Sequence, residues 1–352
     1  MTDNAYKYLA KSLDALPNGF PQSKNGVELR ILEKLFTVEE AELAASLSNC
    51  LESVEAIATR QCVDASQLRQ TLKSMARRGL IDVGRGEAGL GYRIMPFVVG
   101  IYEMQVNNMD VELANLFEAY FDDAFGEVLR VQPQFHRVIP IGKSVRNSME
   151  VHPFESASDL VNGAQAWGVL DCICRKQKSL IGEACEHPVD VCMILDQRQG
   201  AFDNNQNIRA VNRDQALETL RRAAEAGLVH SVSNNLEGVH YICNCCTCSC
   251  GILRGMANLG IANVVARSAF VNKVDSILCS ACGLCVDACM FNALIMKNGV
   301  EVDAVRCVGC GVCVLTCEND ALGLVRRPEW EILSVPETRA DWGESRLSAR
   351  GI

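Results

Sequence analysis

The chain has 352 residues, enough for two or three domains with real cores, and its 49% hydrophobic content is that of an ordinary globular protein. No apolar run approaches the ~18 residues of a membrane-spanning helix, so no membrane span is expected. Acidic residues outnumber basic ones 43 to 34, a formal charge of −9, which disfavours nonspecific nucleic-acid binding and leaves proteins as the expected partners. The opening "MTDNAYKYLAKSLDALPNGF" has no basic-then-apolar signal pattern, so the expected compartment is cytoplasmic. Thiols stay reduced there, and 19 cysteines then suit metal binding better than disulfides. Only Cys50 and Cys62 precede residue 170, which separates an N-terminal half from a cysteine-rich remainder.

In the N-terminal half, "TVEEAELAASL" starts on Thr37, a good N-cap, with Glu40 at the capping-box position. A short helix, a turn and a second helix over about 65–78 follow, and Gly79 ends the second helix. "LIDVG" and "GYRIM" then form two strands around the Gly-rich tip "RGEAG". This order resembles a winged-helix domain, here 1–105. Its second helix carries Arg69, Lys73, Arg77 and Arg78, the residues a DNA-binding role would use. From Arg30 to Met95, however, nine basic residues face nine acidic ones, which favours a structural or docking role. Cys50 and Cys62 have no ligand-spaced partner and are expected to be buried thiols. "NMDVELANLFEAYFDDAF" reads as an amphipathic helix with Leu113, Leu116, Phe117, Tyr120, Phe121 and Phe125 on its core face, and "FHRVIPIG" as a strand.

An α+β domain over 106–268 carries the middle cysteines. "DCICRKQKSLIGEACEHPVDVCM" supplies Cys172, Cys174, Cys185 and Cys192, and "YICNCCTCSC" supplies Cys243, Cys245, Cys246, Cys248 and Cys250. Between them lies a helix ended by Gly227. If C-x-C lies on a strand, Cys172 and Cys174 share a face, as do Cys246, Cys248 and Cys250, with Cys245 turned elsewhere. Cys172, Cys174, Cys185, Cys192, Cys245, Cys246, Cys248 and Cys250 are the candidate ligands, their pairing open. At least one iron–sulfur cluster is expected, and zinc is the alternative. Arg175 fits equally a hydrogen bond to a cluster sulfur or a surface position. His187, before Pro188, reads as a turn residue because thiolates are plentiful nearby.

The strongest pattern is C-terminal. "CSACGLCVDAC" (279–289) and "CVGCGVCVLTC" (307–317) are both C-x2-C-x2-C-x3-C, and each cysteine recurs 28 residues on. Three cysteines at this spacing wrap one cubane, and the fourth reaches the other cluster. Ala281, Gly283, Gly309 and Gly311 let the backbone come close, so that amides donate to cluster sulfurs. The stretch resembles a bacterial-type ferredoxin with two [4Fe–4S] clusters, over about 269–326. The resemblance implies Cys279, Cys282, Cys285 and Cys317 for cluster I and Cys307, Cys310, Cys313 and Cys289 for cluster II. It also implies a β-hairpin from "ALIMKNGVEVDAVRC" and a closing strand from "ALGLVRR". Met290 and Glu318 stand where such modules carry proline, which bears on solvent access and potential and leaves the ligands as they are. With "CxCR…C…HP…C" and "NCCxCxC", the span from about 165 to 326 resembles a group of anaerobe iron–sulfur proteins that carry such a module. The tail, 327–352, reads as an extended arm.

The expectation is a multi-domain α+β protein that passes single electrons to redox partner proteins or within a larger oxidoreductase complex, an electron-transfer component and not a stand-alone enzyme. Two alternatives stand beside it. One is an oxidoreductase subunit whose middle cluster is a substrate site. The other is a redox-responsive DNA-binding regulator.

Overall fold

A computed structural model describes residues 2–86, 89–146, 149–205 and 207–352, the side chains from residue 4 onward. The protein is mixed α/β with several small sheets, in keeping with an α+β class. Two compact units form: Met1–Val131 with Leu180–Gly182 and Gly343–Ile352, and Gln132–Ser179 with Glu183–Trp342.

The first unit is mostly helical. The helix Val38–Ser46 begins as the sequence dictates: Thr37 Oγ1 accepts the Glu40 N–H at 3.2 Å, and the Glu40 carboxylate accepts the Thr37 N–H at 3.0 Å. Helix Val54–Gln61 is capped by Ser53, and helix Ala65–Arg77 by Asp64. Strands β1 (Ile81–Gly86) and β2 (Gly89–Ile94) pair antiparallel. Of the expected tip between them, Glu87 and Ala88 lie outside the described residues. Leu72, Met75, Ile57 and Tyr92 are buried, which shows the apolar stripe of this helix–hairpin region turned inward. The aromatic stripe is core, as expected: Phe97 stacks on Phe117 and meets Phe20 and Tyr120. Its helix, Val111–Tyr120, widens into a π-type turn over Phe121–Phe125 before Gly126–Leu129.

Two expectations fail in this half and the tail. Cys50 and Cys62 are exposed, because Cys50 lies in a bend before the hairpin and Cys62 ends its helix in a left-handed conformation, past the inward stripe. The tail is not an extended arm throughout, since Arg339–Arg350 is helical. Arg346, fully buried, donates to the carbonyls of Pro17, Val128 and Val131 at 2.9–3.0 Å.

The second unit is built on an antiparallel sheet of β3 (His136–Val138), β4 (Ala166–Leu170), β5 (Cys192–Asp196), β6 (Arg209–Val211), β7 (Val229–Ser233) and β8 (Tyr241–Cys245), in the order β3-β7-β8-β5-β4-β6. Helices Ala157–Gly163 and Arg213–Glu225 cover it, burying Val161, Ala216 and Leu220 against Val169, Met193 and Ile242. Asn212 and Gln215 cap the second of these reciprocally, and Gly227 follows it at φ +76°.

Beyond the sheet, the 28-residue repeat becomes a repeated fold. β9 (Phe270–Val274) pairs with β12 (Leu322–Arg326), and β10 (Leu294–Met296) forms a hairpin with β11 (Val300–Val302). Asp275 and Asp303 each accept the N–H of the residue two positions on, at 2.9 Å. Short helices Leu284–Asp287 and Val312–Leu315 each follow a left-handed glycine, Gly283 and Gly311. A side chain at Gly309 would strike the Phe270 carbonyl at 2.2 Å, so protein packing alone requires glycine there.

Candidate metal centres

The middle thiols gather where β4 ends, β5 and α-helical residues begin, and β8 ends. Leu170, the last residue of β4, pairs with Cys192, the first of β5. Cys245 closes β8 opposite Val229, and the chain then turns through 247–249. Cys172 precedes the helix Ile173–Leu180, and Cys174 lies in its first turn. The strand expected for this C-x-C is therefore absent, although the helix start still brings the two thiols together. The extended form expected for 246–250 fails in the same way. The turn places Cys250 with Cys245 and leaves Cys246 and Cys248 to another group.

Nine middle thiols thus divide into six and three. Cys192, Cys172, Cys174, Cys250, Cys245 and Cys243 follow one another in that order, each acting on the ionisation of the next. Cys172, Cys245 and Cys250 are buried, the other three half-buried. Cys174 and Cys192 hold Cys172 well below the usual thiol range, while Cys172 pushes Cys174 and Cys192 up.

The second group adds a histidine. Cys185, His187, Cys246 and Cys248 keep one ligand atom each within 4.8 Å of all the others, the only such group of Cys, His, Asp or Glu among the described residues. Cys248 Sγ lies 3.7 Å from His187 Nδ1, and Cys185 Sγ lies 4.0 Å from Cys246 Sγ. Sequence reasoning set His187 aside as a turn residue, yet the C-x-H spacing from Cys185 was the available signal. Burial works against ionisation of Cys185, but hydrogen bonds from Ser249 and His187 outweigh it and hold the thiol down to about 6. Burial and the Cys246 thiol push Cys248 up to about 12.

Arg175 interacts with thiols of both groups and is buried, which excludes the surface position. Its guanidinium donates to the carbonyls of Pro188 and Asn244 at 2.9 and 2.8 Å and to Cys246 Sγ at 3.7 Å. Burial opposes its charge, and the thiols of Cys172, Cys246, Cys245 and Cys192 more than offset that.

At the C-terminal end, Cys279, Cys282, Cys285 and Cys317 line one small cavity, and Cys289, Cys307, Cys310 and Cys313 line another. Each quartet takes its fourth cysteine from the other repeat. Burial pushes Cys310 up to about 12 and raises Cys285 and Cys313, so these thiols favour the ionised form only with a cation among them. Asn272 Nδ2 donates to Cys313 Sγ at 3.0 Å, and the Ala293 N–H to Cys289 Sγ at 3.3 Å. No helix is long and apolar enough to cross a membrane among the described residues.

The donor sets are compatible with bound metal. Compared with known protein families, curated proteins and solved structures, the chain has no match.

Proposed function

We propose that this protein carries single electrons through thiolate-bound iron–sulfur clusters. The observation that carries the reading is the crossing of fourth ligands: Cys317 joins Cys279, Cys282 and Cys285, and Cys289 joins Cys307, Cys310 and Cys313. The C-x2-C-x2-C-x3-C spacing requires this of two [4Fe–4S] clusters sharing a doubled motif. Such clusters, when bound, supply reversible one-electron uptake and release, with no bond made or broken in the chain. The chain's own work is to hold the sulfurs, exclude water and tune the potential. Asn272 and the Ala293 amide donate to ligand sulfurs, which favours the more reduced, more negative state. Electrons enter from and leave to redox partner proteins.

The six-thiol group extends this reading to a third cluster. Its members act on one another's ionisation, yet no three of its atoms meet the close mutual spacing of the Cys185 group, which suits several irons better than one ion. The Cys185, His187, Cys246 and Cys248 group suits one tetrahedral ion. Zn–S bonds of about 2.3 Å put tetrahedral ligand atoms about 3.8 Å apart, close to the 3.7 and 4.0 Å separations here.

The test is iron, acid-labile sulfide and zinc per anaerobically purified chain, with EPR of the reduced protein. The expected protein is brown, with roughly eight irons and eight sulfides from the two C-terminal clusters and more from the six-thiol group. Cys245→Ser with Cys250→Ser removes iron, whereas Cys246→Ser with Cys248→Ser removes zinc. A colourless protein holding zinc alone overturns the reading.

A further inference from the structure

A cavity of about 190 Å³ opens in the second unit, with no cysteine in its wall. Its wall mixes charged and apolar side chains. Arg137, Arg267 and Arg326 line it with a single carboxylate, Glu155, so two positive charges are in excess. Glu155 is already engaged by Arg326 at 2.9 Å. Val138, Phe154, Leu236 and Ile332 are among its apolar residues.

Two guanidinium nitrogens here lack partners. Arg137 is 4% exposed, and its Nε and Nη1 donate to the Asn235 and Phe154 carbonyls at 3.3 and 2.8 Å, but its buried Nη2 donates to nothing. Arg267 Nη2 donates to the Glu331 carbonyl at 3.0 Å, and its buried Nε likewise donates to nothing. An unpaired buried donor on a charged group is costly. Burial pushes Arg137 down to about 10, and Glu155 opposes this only in part. Both arginines belong to the wall of one cavity with two positive charges in excess, and that wall suits an anion.

We propose that this cavity binds a small organic carboxylate with an apolar body, its carboxylate held by Arg137 and Arg267. Size supports the class: an apolar cavity of about 150 Å³ holds benzene, so about 190 Å³ holds one ring with a carboxylate.

The cavity also adjoins the second C-terminal quartet. Ser268, on its wall, donates through Oγ to the Gly309 carbonyl at 2.9 Å and through its N–H to the Val308 carbonyl at 3.0 Å. Both acceptors lie between Cys307 and Cys310. On the reading that this quartet holds a cluster, a bound carboxylate places negative charge near it and lowers its reduction potential, leaving the first quartet's unchanged.

The probe is benzoate, titrated calorimetrically into the anaerobically purified full chain, with benzyl alcohol and phosphate as comparisons. Saturable one-to-one benzoate binding is expected, weaker by about tenfold or more in Arg267→Gln and in Arg137→Gln. Arg267 is only half-buried, so its variant keeps the test valid if Arg137→Gln fails to fold. Benzyl alcohol, neutral and of the same shape, is expected not to bind, and phosphate, which lacks the apolar body, to bind more weakly. No benzoate binding, equal binding by wild type and Arg267→Gln, or phosphate or benzyl alcohol binding as tightly as benzoate overturns the proposal. Iron and sulfide measured on the same samples separate the two readings. A full iron complement without benzoate binding removes the cavity alone, and benzoate binding without iron removes the electron carrier alone.

Discussion

Arg175 shows how one side chain decides a local structure. Its two carbonyl acceptors, Pro188 and Asn244, come from the loop before β5 and from β8, and its third contact is the Cys246 thiol. Arg175→Met keeps the stem and removes every one of these bonds. Buried bonds from a charged donor support a loss of about 3 kcal/mol, read by chemical denaturation, and faster loss of metal to a chelator. Arg175→Lys keeps the charge but not the planar fork, so it restores only part of both. The buried histidines make a second prediction at this scale. Burial depresses His136 and His230 to about 4, against about 6.5 in the unfolded chain. Between those values the unfolded chain binds more protons than the native one. Stability therefore falls as pH drops from about 6.5 and the loss is complete below about 4. The denaturation midpoint is expected to be lower at pH 5 than at pH 7.5, and His136→Phe to flatten part of that slope.

At the scale of elements, the parts legible in the sequence are those fixed by spacing along the chain. The Thr37–Glu40 box, the Asn212 helix ended before Gly227 and the 28-residue repeat all depend on residues near one another in sequence, and each gives the local structure its pattern implies. The middle cysteines were legible as a gathering of thiols and not in how they group. Their pairing depends on whether C-x-C lies on a strand, and Cys174 lies instead in a first helical turn. His187 was hidden because, Cys185 apart, its partners Cys246 and Cys248 are about 60 residues away in sequence. The C-terminal helix was hidden for another reason. Its inward face holds Trp342 and Arg346, and hydropathy patterning counts an arginine as surface. Arg346→Ala removes the donor to three buried or part-buried carbonyls, an expected loss of about 3 kcal/mol in the unfolding free energy. A surface substitution on the same helix, Glu344→Ala, is expected to change it by less than about 0.5 kcal/mol.

At the scale of the whole molecule, charge bears on the regulator alternative. The helix Ala65–Arg77 and the hairpin after it have the order of a DNA-reading element, but phosphate binding needs positive charge left over after internal pairing. Arg69 is paired with Glu55, and Arg78 with Glu40 and the Leu35 carbonyl. The stretch from Arg30 to Met95 has no net charge, and the chain as a whole repels a polyanion at −9. Nonspecific DNA binders commonly reach dissociation constants of about 10⁻⁴–10⁻⁶ M at physiological salt through unpaired lysines and arginines. This protein is expected to fall short of that range. Fluorescence anisotropy with a labelled duplex should show no saturation up to about 100 µM protein at physiological salt, whether the protein is oxidised or reduced. Arg69→Ala and Arg77→Ala should change nothing, since neither is expected to contact phosphate. Selection from a pool of random duplexes covers the sequence-specific case. Enrichment of one sequence, lost in Arg69→Ala or Arg77→Ala, would return the hairpin domain to a regulatory role and make the thiol groups its sensor. Without such enrichment the regulator alternative fails, and charge complementarity with a chain at −9 predicts that its protein partners present a basic face.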